Sequence, residues 1–347
     1  MKKGFATIYI VLILSSIMTG LLVIIEVAEG FGAKSVTESI TTAAGESILS
    51  EYNKALYNRY GIFAVRNYED DLEARAKHYI DGSSLVVRAI VHPHLDSVSV
   101  YTDKYPLMNT EFFSKQLLKL TPMALLRTFP KVYAREERSI NNAGMPSRLY
   151  GYGSRESVLL SGGLFEVSIE KFIEDEYIMS ACSRKTYQRP DTYLAYESEY
   201  VLFGYSSDSA NIESMHRSLY AIRFAVRLAE ASPLPTDPVA FAIAMARVIM
   251  QTEQDVDDLM SGKEVDGTTY ETYLTVFLGL LSREEKLTRL MDIMQININY
   301  IDGNSFTFKD YSYGFDMVAR YSKRVAAPIA WGSGRRYRVV EQTHKYK

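Results

Sequence analysis

Three short patterns in this sequence place side chains that could do chemistry close together. The first, Ser168-Ile-Glu-Lys171, matches the SxxK pattern in which penicillin-binding enzymes carry their serine nucleophile. The SDN and KTG motifs that accompany it in those enzymes are missing from the sequence. One SxxK match is expected by chance in a chain with this much serine and lysine, so we predict no catalytic residues here.

The other two patterns could bind a metal. His92 and His94 offer two imidazoles, and Asp255, Asp257 and Asp258 resemble part of a calcium loop. Zinc needs further ligands that no residue close to the histidines in sequence supplies, and the aspartates lack the glycine and glutamate spacing of an EF-hand. We interpret the histidines as a surface pair before a strand and the aspartates as a solvated helix face. The sequence therefore predicts no metal and no cofactor.

Composition excludes further classes of protein. Cys182 is the single cysteine, so the chain cannot form an internal disulfide, and we interpret this residue as a small buried hydrophobe. A nucleophile and an intermolecular bridge are the alternatives for it. The patterns GxxxxGK[ST], GxSxG and HExxH are missing, and a net charge of −3 argues against nucleic acid as a partner.

The N-terminus indicates the topology of the chain. Residues 4–25 contain no charged side chain, and an apolar helix of that length spans roughly 30 Å, the thickness of a bilayer core. Lys2 and Lys3 precede this run, and Glu26 and Glu29 follow it. The positive-inside rule then predicts a short basic cytoplasmic leader at residues 1–4, a single membrane span at 5–25, and a remainder outside the cytoplasm.

Two kinds of processing compete with an uncleaved anchor. A cleaved secretory signal usually has an apolar region of about 7–15 residues, shorter than this one, so we favour the anchor. The residues Lys2-Lys3-Gly4-Phe5 also resemble a prepilin leader, which would be cut between Gly4 and Phe5. Leaders of that type usually have glutamate five residues into the mature chain, where this sequence has Tyr9.

Beyond the span, the sequence predicts a mostly helical α+β fold. Apolar residues recur every four positions from Val36 to Tyr60, so we expect the first helix to continue as an extracytoplasmic extension over residues 26–60. Residues 61–347 then form one extracytoplasmic α+β domain, with a loop-rich segment at 128–160. A small antiparallel sheet is expected to draw on residues 62–65, 97–101, 305–308, 311–315 and 337–341.

The remaining helices are predicted from apolar periodicity. They are expected over residues 69–80, 164–180, 211–231, 238–261, 268–281 and 283–299. Ser282 and Glu285 form a capping box before the last of them. Residues 239–250 are the second most apolar run in the chain. Because twelve residues interrupted by Arg247 are too short to cross a bilayer, we predict a buried core helix there.

Four small residues lie midway along the N-terminal apolar run: Ser15, Ser16, Thr19 and Gly20. Lipid tails are as apolar as leucine, so helices in a bilayer associate through close contact at small residues rather than through burial alone. We predict that these four residues form a helix–helix contact. The alternative is a plain membrane anchor, in which single small residues are ordinary.

Several blocks spread along the chain resemble a known bacterial family. They are, in order, Glu51-Tyr-Asn53 with Tyr60-Gly-Ile-Phe63, Glu199-Tyr-Val-Leu-Phe-Gly204 with Asn211, Gly262-Lys-Glu-Val265 with Tyr270-Glu-Thr-Tyr-Leu274, and Arg289-Leu-Met-Asp-Ile-Met-Gln-Ile-Asn297. The blocks and their order are similar to those of the bacterial family called domain of unknown function 5702. The stretch 103–195 adds little to this resemblance.

The resemblance implies a function that the residues alone do not. Members of the family resemble the minor pseudopilins of tight-adherence (Tad) pili and have no established catalytic residues. This implies a membrane-anchored structural subunit of a Tad-like pilus or secretion system. Its partners would be membrane lipid and other pilin-like subunits or pilus-assembly proteins. A stand-alone surface-binding ectodomain and an enzyme of the cell envelope are the alternatives.

Overall fold

The computed structural model describes residues 2–87, 94–118, 169–190, 192–303, 305–324 and 335–346. The loop-rich segment expected at 128–160 lies outside these residues. The helices are α1 (Lys2–Ser50), α2 (Lys54–Tyr60), α3 (Glu69–Val87), α4 (Ile169–Ala181), α5 (Glu197–Phe203), α6 (Asp208–Glu230), α7 (Pro238–Met260), α8 (Tyr270–Leu280) and α9 (Arg283–Asp302). The strands are β1 (Val65–Arg66), β2 (His94–Tyr101), β3 (Tyr311–Ser312), β4 (Gly314–Arg324) and β5 (Arg335–Lys345).

These elements fall into two units of the chain. Unit 1 comprises residues 1–53, 63–106 and 309–347, and unit 2 comprises residues 54–62 and 107–308. Unit 1 contains α1, α3 and all five strands, whereas the named elements of unit 2 are helices. The predicted mostly helical α+β fold, with a long N-terminal apolar helix and a small antiparallel sheet, is confirmed.

Unit 1 is built on a three-stranded antiparallel sheet with the order β2–β4–β5. Val100 of β2 lies opposite Met317 of β4, which lies opposite Gln342 of β5. The second half of α1 and helix α3 bury apolar side chains at four-residue spacing, while β4 buries alternate residues. The core residues at these spacings are Ile40, Ala44 and Ile48 of α1, Leu72, Ala76 and Ile80 of α3, and Phe315, Met317, Ala319 and Tyr321 of β4.

In unit 2, the helices from α6 to α9 begin and end close to where the periodicity predicts. The N-cap half of the predicted capping box is present at the start of α9, where Ser282 Oγ accepts a hydrogen bond from the backbone N–H of Glu285 at 3.3 Å, while the Glu285 carboxylate pairs with Arg289. The apolar positions that follow it, Leu287, Leu290 and Met294, are fully buried. Gly303 ends the helix with a φ of 62°, which a residue with a side chain rarely adopts.

Several predicted elements differ from the structure. The strand expected at 62–65 forms at Val65–Arg66, and the helix expected at 69–80 continues to Val87. The first helix ends at Ser50 rather than near Tyr60, because the chain turns and the N–H of Asn53 donates to the carbonyl of Ala64 at 2.9 Å. The strand predicted at 305–308 is wrong. The amide of Asn299 bonds both the N–H and the carbonyl of Phe306, so this segment satisfies its backbone without a neighbouring strand.

One helix escaped prediction from the sequence. Helix α5 has seven residues and buries Glu197, Ser198 and Glu199 together with its apolar side chains. A helix that buries carboxylates has no apolar stripe against a polar face, so periodicity cannot reveal it. Its burial is possible because the carboxylates have partners, which are described below.

Candidate functional site

The first half of α1 is apolar and unusually exposed. Its large apolar side chains from Tyr9 to Ile25 are each 41–67% exposed. Within the described part of the chain, this helix is the one that is long and apolar enough to cross a membrane, with a mean hydropathy of 2.6 in its most apolar window. Glu26 and Glu29 lie just beyond this stretch, as the sequence indicated.

The predicted helix–helix contact lies on this exposed half. Ser15, Ser16, Thr19 and Gly20 are all exposed, and a Cβ added at Gly20 would meet nothing within 4 Å. The hydroxyls of Ser15 and Thr19 donate to carbonyls one turn earlier, at 2.9 and 2.8 Å. These two hydroxyls therefore have partners within the helix and need none from another chain. The four residues form a small, accessible face, and its contact with another helix stays a prediction.

The possible cleavage site lies at the very start of the same helix. Gly4 and Phe5 belong to the first turns of α1, which begins at Lys2. Cleavage between the two residues stays a prediction.

The second half of α1, in contrast, is packed against the sheet of unit 1 and partly buried. Thr41 Oγ1 and Tyr321 Oη form a buried hydrogen bond of 2.8 Å, and Tyr346 Oη donates to the carbonyl of Leu49 at 2.6 Å. At Gly45 the helix approaches β5 so closely that the ring of His344 fills the place of a side chain. One continuous helix is thus apolar and bare in its first half and part of a core in its second.

A second exposed apolar surface lies on helices α6 and α7. Together with the loop that joins them, residues 208–260, they are called the α6–α7 hairpin. The prediction that residues 239–250 form a buried core helix is wrong. Val239, Ile243 and Met250 are 68%, 59% and 69% exposed, and Ala246 is also exposed. Among the described residues, helix α7 packs chiefly against α6, which covers one side of it. No described element covers the opposite side along the apolar run.

An ion-pair network holds the base of this hairpin. Asp255 of α7 accepts hydrogen bonds from Arg223 at 2.7 Å and from Arg227 at 2.7 and 2.9 Å, and Asp266 contacts both arginines. Burial opposes ionisation of Asp255, but these hydrogen bonds hold its pKa below the usual value. The interpretation of Asp255 as part of a solvated helix face is therefore wrong, whereas Asp257 is exposed.

Inside unit 2, the blocks that carry the family resemblance contact one another. Asn297 Nδ2 donates to Tyr60 Oη at 2.8 Å, and Tyr270 Oη donates to Glu199 Oε1 at 2.6 Å. Arg289 Nη1 donates to the carbonyl of Leu202 at 2.5 Å. Residues far apart in sequence therefore meet in the polar interior of one unit.

The buried carboxylates of unit 2 are paired rather than open. Glu197 accepts from the backbone N–H of Ser183 at 2.5 Å and from Asn297. The fully buried Lys286 lies between Asp175, with which it forms a hydrogen bond, and Glu174, at 3.8 Å. Burial raises the pKa of Asp175 to about 6 despite this cation. Such pairs compensate the cost of burying charge and connect helices.

The residues suggested by chemical patterns are not brought together. Ser168 and His92 lie outside the described residues, Lys171 lies on α4, and His94 is exposed on β2. Among the described residues, no group of three or more His, Cys, Asp or Glu side chains is placed to hold a metal ion. Cys182 is fully buried, as predicted, and burial raises the pKa of its thiol well above the usual value, which disfavours the reactive thiolate.

The described residues thus define a mostly helical protein with one candidate membrane span and two exposed apolar surfaces. The chain belongs to the family of unknown function DUF5702, whose family model matches residues 114–231 and 245–323. This confirms the family indicated by the sequence blocks. The tip of the α6–α7 hairpin, with Val239 and Ile243, falls between the two matched segments. No curated protein and no solved structure shows a significant match to the chain.

Proposed function

We propose that this protein is a membrane-anchored, extracytoplasmic structural subunit, similar to a pseudopilin and associated with a Tad-like pilus or secretion system. The observation that carries the proposal is the division of α1 into a bare apolar half and a half that belongs to the core of unit 1. A pseudopilin-like subunit needs this arrangement, because its first helix must meet other apolar helices while its folded part stays attached.

The free energy of exposed apolar surface supports the anchor. Burying one large aliphatic side chain contributes about 1.5–3 kcal/mol, and the half-exposed residues from Tyr9 to Ile25 are nearly all of this kind. Lipid or neighbouring apolar helices would cover them, with Lys2 and Lys3 kept in the cytoplasm. The contact between spans would form at Ser15, Ser16, Thr19 and Gly20, and the partners would be membrane lipid, other pilin-like subunits or pilus-assembly proteins.

A topology experiment tests this proposal. A reporter that is active only outside the cytoplasm, fused after Lys347, should be active, whereas a reporter that works only in the cytoplasm should be silent at the same position. Changing Lys2 and Lys3 to glutamate should reduce this asymmetry, because the basic residues set the orientation. Cytoplasmic activity of the fusion in the unaltered chain would overturn the proposed function.

A further inference from the structure

We propose that the ends of β4 and β5 nearest the membrane span form a basic surface, which binds the phosphate groups of anionic lipids at the face of the bilayer. The inference rests on α1 crossing a membrane, as the proposed function requires. All residues of this surface belong to unit 1. The surface is called the basic strand end and consists of Arg320, Lys323 and Arg324 of β4 and Arg335, Arg336 and Arg338 of β5.

The position of the basic strand end relative to the membrane follows from β5, which runs beside α1 in the opposite direction. Side chains of β5 contact α1 at points that lie progressively nearer the apolar half of the helix. These contacts are His344 against Gly45, Gln342 Nε2 donating to the carbonyl of Glu38 at 3.2 Å, and Arg338 Nη1 donating to the carbonyl of Gly30 at 3.4 Å. The strand therefore stays beside the helix as it approaches the span.

The length of β5 shows how near the bilayer it comes. From His344 to Arg335 the strand advances about 30 Å, at roughly 3.3 Å per residue. The same distance along an α-helix is about 20 residues. Because His344 lies against Gly45, Arg335 comes level with about Ile25, the last residue of the uncharged run. The strand ends where the hydrocarbon core of a bilayer would give way to the headgroups.

The pairing of the two strands brings like charges to facing positions at this end. Lys323 lies opposite Arg336 in the register, and Arg324 lies opposite Arg335. Like charges at directly opposite positions of neighbouring strands destabilise a sheet. The sequence therefore carries an unfavourable arrangement at the strand ends, which a bound anion would relieve.

The acids placed around the basic strand end do not balance its six cations. Glu26 and Glu29 lie on α1 close to the same level. Asp96 of β2 accepts a hydrogen bond from β4, and Asp81 of α3 interacts electrostatically with the same strand. Six cations against these four acids leave a positive surplus beside the bilayer.

Position and residue type together select lipid as the occupant. The attraction of anionic headgroups for Lys and Arg falls off within a Debye length, about 10 Å. A span formed by α1 holds the basic strand end within that distance of the headgroups at all times, whereas a soluble anion or an acidic protein would have to be recruited. Five of the six cations are arginine, whose planar guanidinium can form two parallel hydrogen bonds with one phosphate.

Native mass spectrometry of the full-length chain in detergent tests the binding. The protein is mixed with equal amounts of phosphatidylglycerol, which is anionic, and phosphatidylcholine, which is zwitterionic. The unaltered chain should retain more phosphatidylglycerol, and Arg324→Gln/Arg335→Gln should lower the ratio of the two retained lipids by about tenfold. The matched control is Lys309→Gln/Lys345→Gln, which removes two exposed cations of unit 1 that lie farther from the span and should leave the ratio unchanged.

Thermal unfolding separates lipid binding from a purely structural role of the arginines. In phosphatidylcholine vesicles, Arg324→Gln/Arg335→Gln should be as stable as the unaltered chain or slightly more stable, because it removes facing like charges. In phosphatidylglycerol vesicles, the unaltered chain should gain stability that the variant does not gain. An equal loss of stability in both kinds of vesicle would mean that the arginines act through partners within the chain, and would overturn the proposal.

Three further results would overturn it. They are an unchanged lipid ratio in Arg324→Gln/Arg335→Gln, an equal fall of the ratio in the control variant, and equal stabilisation of the unaltered chain by inorganic phosphate without lipid. The last result would identify a soluble anion as the ligand. Failure of the proposed function has a different signature. A chain recovered outside the membrane fraction would contradict the anchor, whereas an anchored chain with an unchanged lipid ratio would overturn this inference alone.

Discussion

The imidazole of His344 lies directly against the backbone of Gly45, where a Cβ would fall 2.2 Å from His344 Cε1. This contact joins the second half of α1 to β5, the edge strand of the sheet in unit 1. No side chain larger than hydrogen fits at position 45 unless the buried ring moves. The close approach of the long helix to β5 at this point therefore requires glycine.

Gly45→Ala should lower the free energy of unfolding by about 1–3 kcal/mol, because overpacking outweighs the gain in helix propensity of about 1 kcal/mol. Gly32→Ala is the matched control in the same helix, since a Cβ there meets nothing within 4 Å. It should be neutral or slightly stabilising. Thermal unfolding in detergent, followed by circular dichroism, measures both. Restored stability in Gly45→Ala/His344→Ala would identify the ring as the cause, and an unaffected single variant would contradict the contact.

His344 should also make the stability of unit 1 depend on pH. Burial lowers the pKa of its imidazole below the usual 6.5, and the charge of Glu46 opposes this only partly. Above pH about 6.5 the residue is neutral in both states, whereas below it the unfolded chain binds the proton first. Stability should therefore fall as the pH drops from 6.5 towards 5.

The matched comparison is His344→Gln, which cannot titrate. The difference in unfolding midpoint between the original chain and this variant, measured from pH 8 to pH 5, isolates the histidine from every other group. Only below about pH 6.5 should the midpoint of the original chain fall relative to that of the variant. A constant difference over this range would show that the imidazole is not buried in its neutral form.

The ion-pair network of the α6–α7 hairpin can be tested by comparing two aspartates of α7, one buried and one exposed. Asp255→Ala should cost up to about 3–5 kcal/mol, because Arg223 and Arg227 then lose the buried carboxylate that they share and keep only the more exposed Asp266 in this network. Asp257→Ala, two residues away and exposed, should change stability by no more than about 0.5 kcal/mol. Denaturant unfolding compares the two. Equal effects would mean that the buried ion pairs do not hold the hairpin.

Lys286 provides a test of the second buried network. Lys286→Met should cost about 3–5 kcal/mol at pH 8, because Asp175 and Glu174 then lose their buried cation. The loss should be smaller at pH 5, where Asp175, whose pKa is already raised to about 6, is protonated. Adding Asp175→Asn should recover much of the stability at pH 8. A loss that does not change with pH would argue that packing rather than charge is responsible.

The predicted contact of the membrane span is tested by enlarging its small residues. Gly20→Leu and Ser16→Leu should leave insertion intact, since both raise hydrophobicity, but should weaken co-purification with partners by roughly 1–2 kcal/mol. Met18→Leu, on the opposite side of the same helix, should have no effect. Unchanged recovery of partners with both variants at normal expression would leave α1 as a plain anchor.

The parts of the fold that follow local rules were predictable from the residues. The capping box at Ser282 and Glu285 and the four-residue spacing of Ile40, Ala44 and Ile48 located helices and their buried sides, because both depend on neighbours within a few turns. The strand expected at 305–308 failed for a long-range reason. Its backbone partner is the side chain of Asn299, which no alternation pattern reveals.

The sequence by itself determined that α1 begins with an apolar run able to cross a bilayer, since length and composition alone decide whether a helix can do so. It also located helices α6 to α9 to within about a turn at each end. Only the tertiary structure decided that residues 239–250 are bare and that Asp255 is buried, the reverse of both predictions. The physical reason is that periodicity shows which side of a helix is apolar, whereas what covers that side depends on distant parts of the chain.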